Sequence, residues 1–264
     1  MNKKISLLMC LILMTFTLSG CMFKNVFKNE VETKYIDYSQ NITVNDIESA
    51  LVEGAEIAKS SSIAIIASSK GLLGSNDSLG SGVILKRTKN NDDTYTYLAV
   101  TNYHVLDSTR LSEIHVYDGK NIISASLVTY KESVDLALVS FTTGILMNTA
   151  TLYLNELKTA QFVIAVGSPY DVYGFYNTVT VGSISCPSRN RQEEYNGKTI
   201  KNTYIQHDAA INSGNSGGGL YDIYGRLIGI NTWKIVGELG ESYEGLNFAI
   251  PISVVYVHFN NYLK

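Results

Sequence analysis

Tyr97-Leu98-Ala99-Val100-Thr101-Asn102-Tyr103-His104-Val105 reads as an apolar strand that runs out into a polar turn carrying a histidine. Short apolar runs of the same kind recur on both sides of it, at 62–67, 82–85, 114–117, 136–141, 162–166, 178–184, 227–231 and 246–250. Valine, isoleucine and tyrosine dominate these runs, and glycine or asparagine bounds many of them. That pattern predicts an all-β barrel or sandwich. Two helices are expected beside the strands. Val44–Lys59 carries Val44, Ile47, Leu51, Ala55 and Ala58 at spacings of three and four, and Ile252–Leu263 closes the chain. Residues 149–159 look like a crossing segment between two halves, and the sequence holds no repeat of 20–50 residues.

Composition narrows the class. Over 264 residues, 45% are apolar and 17% charged, which suits a globular protein with a sizeable core and excludes a disordered one. A net charge of −3 gives no reason to expect nucleic acid as a partner. Of the three cysteines, Cys10 lies in an N-terminal apolar run, Cys21 follows it, and only Cys186 lies in the globular part. One cysteine cannot make an intradomain disulfide, and no Cys/His spacing suits zinc, so neither metal nor cofactor is expected.

Three places carry chemistry. Gly214-Asn215-Ser216-Gly217-Gly218-Gly219 is a serine on a glycine turn. Such a turn exposes a hydroxyl and aims backbone N–H groups at a developing oxyanion. Its plain alternatives are a flexible turn or a phosphate loop, but a phosphate loop ends in Gly-Lys-Ser/Thr and this one does not. His104, at the end of its strand, suits a general base. His115 and His258 read as surface or core-edge residues, and His207, before Asp208, is a weaker rival. Asp135 opens the apolar run from Leu136 and would be partly buried, so it needs a partner, such as the Nδ1–H of a histidine. Singly, a histidine or an aspartate in such a place is more often structural. Together, the chain order His, Asp, Ser is the chymotrypsin-type order. His104 and Asp135 fall in the first half and Ser216 in the second, so a cleft between the halves would unite them.

Around these residues the chain resembles the HtrA (Deg) branch of trypsin-like serine proteases. The resemblance rests on Gly80-Ser81-Gly82-Val83-Ile84, Thr101-Asn102-Tyr103-His104-Val105, Asp135-Leu136-Ala137, Val166-Gly167-Ser168-Pro169 and Thr178-Val179-Thr180-Val181-Gly182. It continues through Ile205-Gln206-His207-Asp208-Ala209-Ala210-Ile211-Asn212, the stretch 214–218, Ile228-Gly229-Ile230-Asn231-Thr232 and Phe248-Ala249-Ile250-Pro251, in family order over about 60–252. It implies two six-stranded antiparallel β-barrels, about 60–150 and about 160–252, within a protease domain at 46–264. It also implies a His104-Asp135-Ser216 triad, an oxyanion hole from the Gly214 and Ser216 N–H groups, and an acyl-enzyme on protein or peptide substrates. The primary specificity pocket would be lined by Ala210, Ile211, Thr232, Trp233, Gly245 and Leu246. Its uncharged floor predicts cleavage after small or branched aliphatic residues. Departures from the family are His207 in place of threonine, and Ser213 and Gly219 where proline is common. The ending at Lys264 leaves no room for a PDZ domain, and a homo-oligomer is left open.

The N-terminus reads as an address. Lys3 and Lys4 precede an apolar stretch at 5–18 that is short for a bilayer span, and Leu18-Ser19-Gly20-Cys21 resembles a bacterial lipobox. The expectation is a signal peptide at 1–20, acylation of Cys21 into membrane lipid, and a flexible tether over 21–45. The protease domain would then sit on the extracytoplasmic side of a bacterial cell membrane.

Overall fold

Side chains that alternate between core and solvent make the strands, and the strands close on themselves twice. The computed structural model describes residues 43–71, 74–107, 113–195, 198–236 and 242–264. The signal peptide, Cys10, Cys21 and the tether to residue 42 lie outside the described residues. The first barrel contains β1 (Ser62–Gly71), β2 (Gly74–Lys89), β3 (Tyr95–Thr101), β4 (Glu113–Tyr117), β5 (Ile122–Lys131) and β6 (Leu136–Thr143), in the order β1-β2-β3-β6-β5-β4. The second contains β7 (Phe162–Gly167), β8 (Thr178–Tyr195), β9 (Lys198–His207), β10 (Gly219–Asp222), β11 (Leu227–Val236) and β12 (Ser242–Pro251), in the order β10-β11-β12-β9-β8-β7. Closure leaves neither sheet an open edge. The choice between barrel and sandwich is thus two barrels.

Apolar burial among the described residues falls into four clusters, of which a small one joins Ala64, Ile66 and Val172 and the other three build the barrels and their seam. Ile63, Ile65, Ile84, Tyr97, Ala99, Val116 and Val139 fill the first barrel. Val163, Ile184, Ile205, Leu220, Ile228 and Ala249 fill the second. A third cluster lies between them, with Val83, Val100, Leu136 and Leu138 from the first barrel against Ile164, Val166, Tyr221, Ile230 and Ile250 from the second. Helix α1 (Val44–Lys59) reaches this seam through Ala58, and the C-terminal helix Ile252–Leu263 does so through Ile252, Val255 and Phe259. The crossing segment is tied to both sides. Ala150 N–H donates to the Ile84 carbonyl at 2.8 Å, and Tyr153 N–H to the Leu227 carbonyl at 2.9 Å.

The helix bounds agree with the sequence reading, and Leu51, Ala55 and Ala58 of the expected face pack on the core, while its first turn does not. Val44 and Ile47 are exposed, and Gly54 and Ala58 are the buried residues. Gly54 lies on that same face and sets how close it comes: a Cβ there would lie 2.2 Å from the Ile223 carbonyl oxygen, so the helix backbone seats directly on the β10–β11 turn. Strands β5, β9 and β10 were not among the apolar runs. β5 exposes Ile122, Val128 and Tyr130, β9 is rich in polar residues, and β10 has four residues. Among the described residues no helix is long and apolar enough to cross a membrane.

Candidate active site

Strand β3 ends at Thr101, and one helical turn, α2 (Tyr103–Asp107), presents His104 at the seam. The His104 Nδ1 lies 2.8 Å from Asp135 Oδ2, and the His104 backbone N–H donates to Asp135 Oδ1 at 2.9 Å. Asp135 has a left-handed backbone, φ 53, a conformation that aspartate tolerates better than most residues. Its strain is held by its surroundings. The Asp135 carbonyl accepts from Asn102 Nδ2 at 2.9 Å and from Tyr103 N–H at 3.2 Å, while Thr232 Oγ1 donates to its Oδ2 at 2.9 Å. The imidazole is thereby anchored on the Nδ1 side, leaving Nε2 for proton transfer.

Ser216 comes from the second barrel. Its hydroxyl donates to the Thr232 carbonyl at 2.9 Å. The serine's own backbone is bonded across the seam, since Ser81 N–H on β2 donates to the Ser216 carbonyl at 2.8 Å. Ser81 Oγ donates to the Gly214 carbonyl at 2.7 Å and accepts from Ser168 N–H at 2.8 Å. Glycine is required here. Gly214 and Gly217 have φ of +96 and +86, and a Cβ on Gly217 would sit 2.2 Å from the Ser81 carbonyl oxygen. The Ser213 carbonyl accepts from Tyr170 N–H at 2.8 Å, so the trans peptide places the Gly214 N–H on its opposite face.

Residues 80–230 match the family described as "Trypsin-like peptidase domain", more than half of the chain. The chain belongs to that family. Among relatives of this trypsin-like peptidase, the serine protease Do-like HtrA of Lactococcus lactis subsp. cremoris is 35% identical over 242 residues, covering 84% of this chain and 58% of the relative. The serine endoprotease DegS of Haemophilus influenzae is 36% identical over 181 residues, covering 67% of this chain and 48% of the relative. The solved structure "HtrA-type protease AlgWS227A with tripeptide" superposes with a TM-score of 0.64 at 28% identity, covering 81% of this chain and 64% of that one. The peptidase spans about half the length of the relatives it matches. The HtrA/Deg resemblance read from the motifs agrees with these relatives.

The sequence-predicted pocket residues fall into groups. Thr232 is buried, and it touches both Asp135 and Ser216. Ile211 is buried, Ala210 is exposed, Leu246 is half-buried, and Gly245 has φ +73. The side chain of Trp233 lies outside the described residues. Beside the turn at Ser213 and Gly214, a cavity of about 640 Å³ is lined by Pro169, Tyr170, Phe175, Thr178, Asn212 and Ser213. Sequence reasoning missed Ser81 and the Thr232 hydroxyl as supports of the site, although both lay within quoted motifs. Their small side chains bear no signature of the backbone groups they bind. His207, the weaker rival to His104, is fully buried at the end of β9. His258 is exposed on the C-terminal helix and His115 half-buried on β4, as read.

Proposed function

We propose that the chain is a serine endopeptidase of extracytoplasmic proteins, acting through His104, Asp135 and Ser216. The observation that carries this reading is the convergence on Ser216 of groups from both barrels: Ser81 on its carbonyl, Thr232 shared with Asp135, and His104 anchored by Asp135. In the reaction the Ser216 hydroxyl rotates from Thr232 to His104 Nε2. His104 takes the proton as Oγ attacks the peptide carbonyl. Asp135 holds the tautomer and stabilises the imidazolium, and the Gly214 and Ser216 N–H groups receive the oxyanion. The imidazolium then protonates the leaving amine, and water releases the acyl-enzyme by the same route in reverse. The pocket at Ala210, Ile211, Thr232, Trp233, Gly245 and Leu246 takes a small or branched aliphatic residue. Acylated Cys21 tethers the protein to membrane lipid, and relatives named periplasmic support an extracytoplasmic setting.

A second reading has one observation in its favour, the Ser216 hydroxyl bonded to Thr232 rather than His104. On that reading the protein is a catalytically silent binding lipoprotein. One experiment separates the two: hydrolysis of casein, and labelling by a fluorophosphonate, for the wild type and Ser216→Ala. Activity and labelling that vanish together with Ser216 support the peptidase; a wild type inert in both assays supports the silent form. Membrane fractionation of Cys21→Ala tests the anchor, which is wrong if the variant stays membrane-bound at the processed size.

A further inference from the structure

His207 ends β9 with its ring fully buried, and neither Nδ1 nor Nε2 has a partner within hydrogen-bond distance. On the ladder it faces Ile184 of β8 and Asn247 of β12. Asn247 is already engaged, donating Nδ2 to the Ala209 carbonyl at 2.9 Å. Burial pushes the His207 pKa down to about 4, against the pull of the Asp208 charge, the Ala209 backbone and the Asn231 side chain. At neutral pH the ring is therefore uncharged, with one N–H to give.

The Asn231 side chain bears on that ring, and Asn231 is bonded along residues 217–219. Its carbonyl accepts from Gly217 N–H at 2.9 Å, its N–H donates to the Gly218 carbonyl at 2.8 Å, and its Nδ2 donates to the Gly219 carbonyl at 2.9 Å. A carbonyl only accepts, so Gly219 selects the amide end of the Asn231 side chain and turns Oδ1 the other way. That Oδ1 is buried with no partner of its own. A flipped carboxamide would set oxygen against oxygen at Gly219, and the cheapest guard against the flip is a donor facing Oδ1.

We propose that His207 is a positioning residue: its ring N–H faces Asn231 Oδ1 and holds the carboxamide in the orientation that ties down residues 217–219 behind Ser216. The proposal rests on the reading of Ser216 as nucleophile. The ring and the carboxamide each supply what the other lacks, and Asn231 carries the link on to residues 217–219. The threonine that the family resemblance expects at this place also carries a donor, with no ring to titrate.

The test uses His207→Phe, which keeps the ring volume and deletes the donor, and His207→Gln, which keeps a donor. Three quantities are measured: the rate of fluorophosphonate labelling at Ser216, kcat and KM on a casein-derived fluorogenic peptide, and amide hydrogen exchange at 217–219. His207→Phe is expected to slow labelling by about tenfold or more, through misplacement of the nucleophile turn. Its KM stays within about twofold of wild type, and exchange at 217–219 accelerates. His207→Gln restores both. Added to Asn231→Ala, His207→Phe produces no further loss. Wild-type labelling and exchange in His207→Phe would overturn the proposal, as would losses that add in the double variant. If His207→Phe fails to fold, a ring N–H of His207 in the wild type that is slow to exchange at pH 7 is still required, and its absence overturns the proposal. A wild type that does not label at Ser216 defeats the nucleophile reading, whereas exchange at 217–219 still decides the link from His207 to Asn231.

Discussion

Asp135 combines a strained backbone with a carboxylate that serves three donors, His104 twice and Thr232 once. Replacing it by asparagine keeps the shape but offers an N–H to the imidazole and selects the wrong tautomer. Asp135→Asn is expected to lower kcat by about 10⁴-fold with little change in melting temperature, measured by steady-state hydrolysis and calorimetry. His104, Asp135 and Ser216 stood out in the sequence as candidates because each carries chemistry that its neighbours lack, and the fold brings His104 and Asp135 together. Gly219 was legible only as an oddity. Its reason is volume: a Cβ there would lie 2.3 Å from the ring of Tyr221, which is fully buried and whose hydroxyl is 3.3 Å from Ser62 Oγ. The large ring two residues on occupies the space that a side chain at 219 would need. Gly219→Ala is therefore expected to destabilise by on the order of 2 kcal/mol, and adding Tyr221→Leu should recover part of the loss. Urea titration of the single and double variants checks this, and a double variant no better than Gly219→Ala alone rejects the pairing.

Elements were legible to the extent that their apolar residues point inward. The run from Leu136 and the Val44–Lys59 periodicity fixed a strand and a helix because both make regular use of one period. The inward face of α1 was legible at Leu51, Ala55 and Ala58, but its closest contact was not, since an absent side chain makes it. Helix propensity favours alanine over glycine by about 1 kcal/mol, so Gly54→Ala in an isolated helix would stabilise. Here the added methyl meets the backbone of Ile223, which cannot move without dragging the β10–β11 turn. The expected outcome is a lower melting temperature for Gly54→Ala, the sign opposite to propensity, with the Ser216 labelling rate little changed in the folded protein. β5 failed to register for a related reason. It hides little, so Ile122, Val128 and Tyr130 face solvent and the apolar signal no longer marks the core.

At the scale of the molecule, the buried His207 gives stability a pH dependence of definite sign. The ordinary histidine pKa of about 6.5 applies in the unfolded chain, while burial holds the folded value at about 4. Between those values the unfolded chain binds more protons, so stability from this group is complete above about pH 6.5 and falls as pH drops toward 4. The loss amounts to on the order of 3 kcal/mol at the acid end. Urea unfolding at pH 7 and pH 4.5 should show a smaller difference for His207→Gln than for the wild type; equal differences would show that the ring contributes nothing. The seam between the barrels has its own consequence. Ser81 belongs to the first barrel, yet its two bonds shape the turn that carries Ser216 in the second. The turn that carries Ser216 is thus shaped by the join and not by one barrel alone. On the proposed reading of Ser216, a newly made chain gains its nucleophile turn only once the second barrel has met the first. Two separately produced pieces, 43–150 and 151–264, should each leave a fluorophosphonate untouched, and should label only on mixing, at a rate that rises with their concentration.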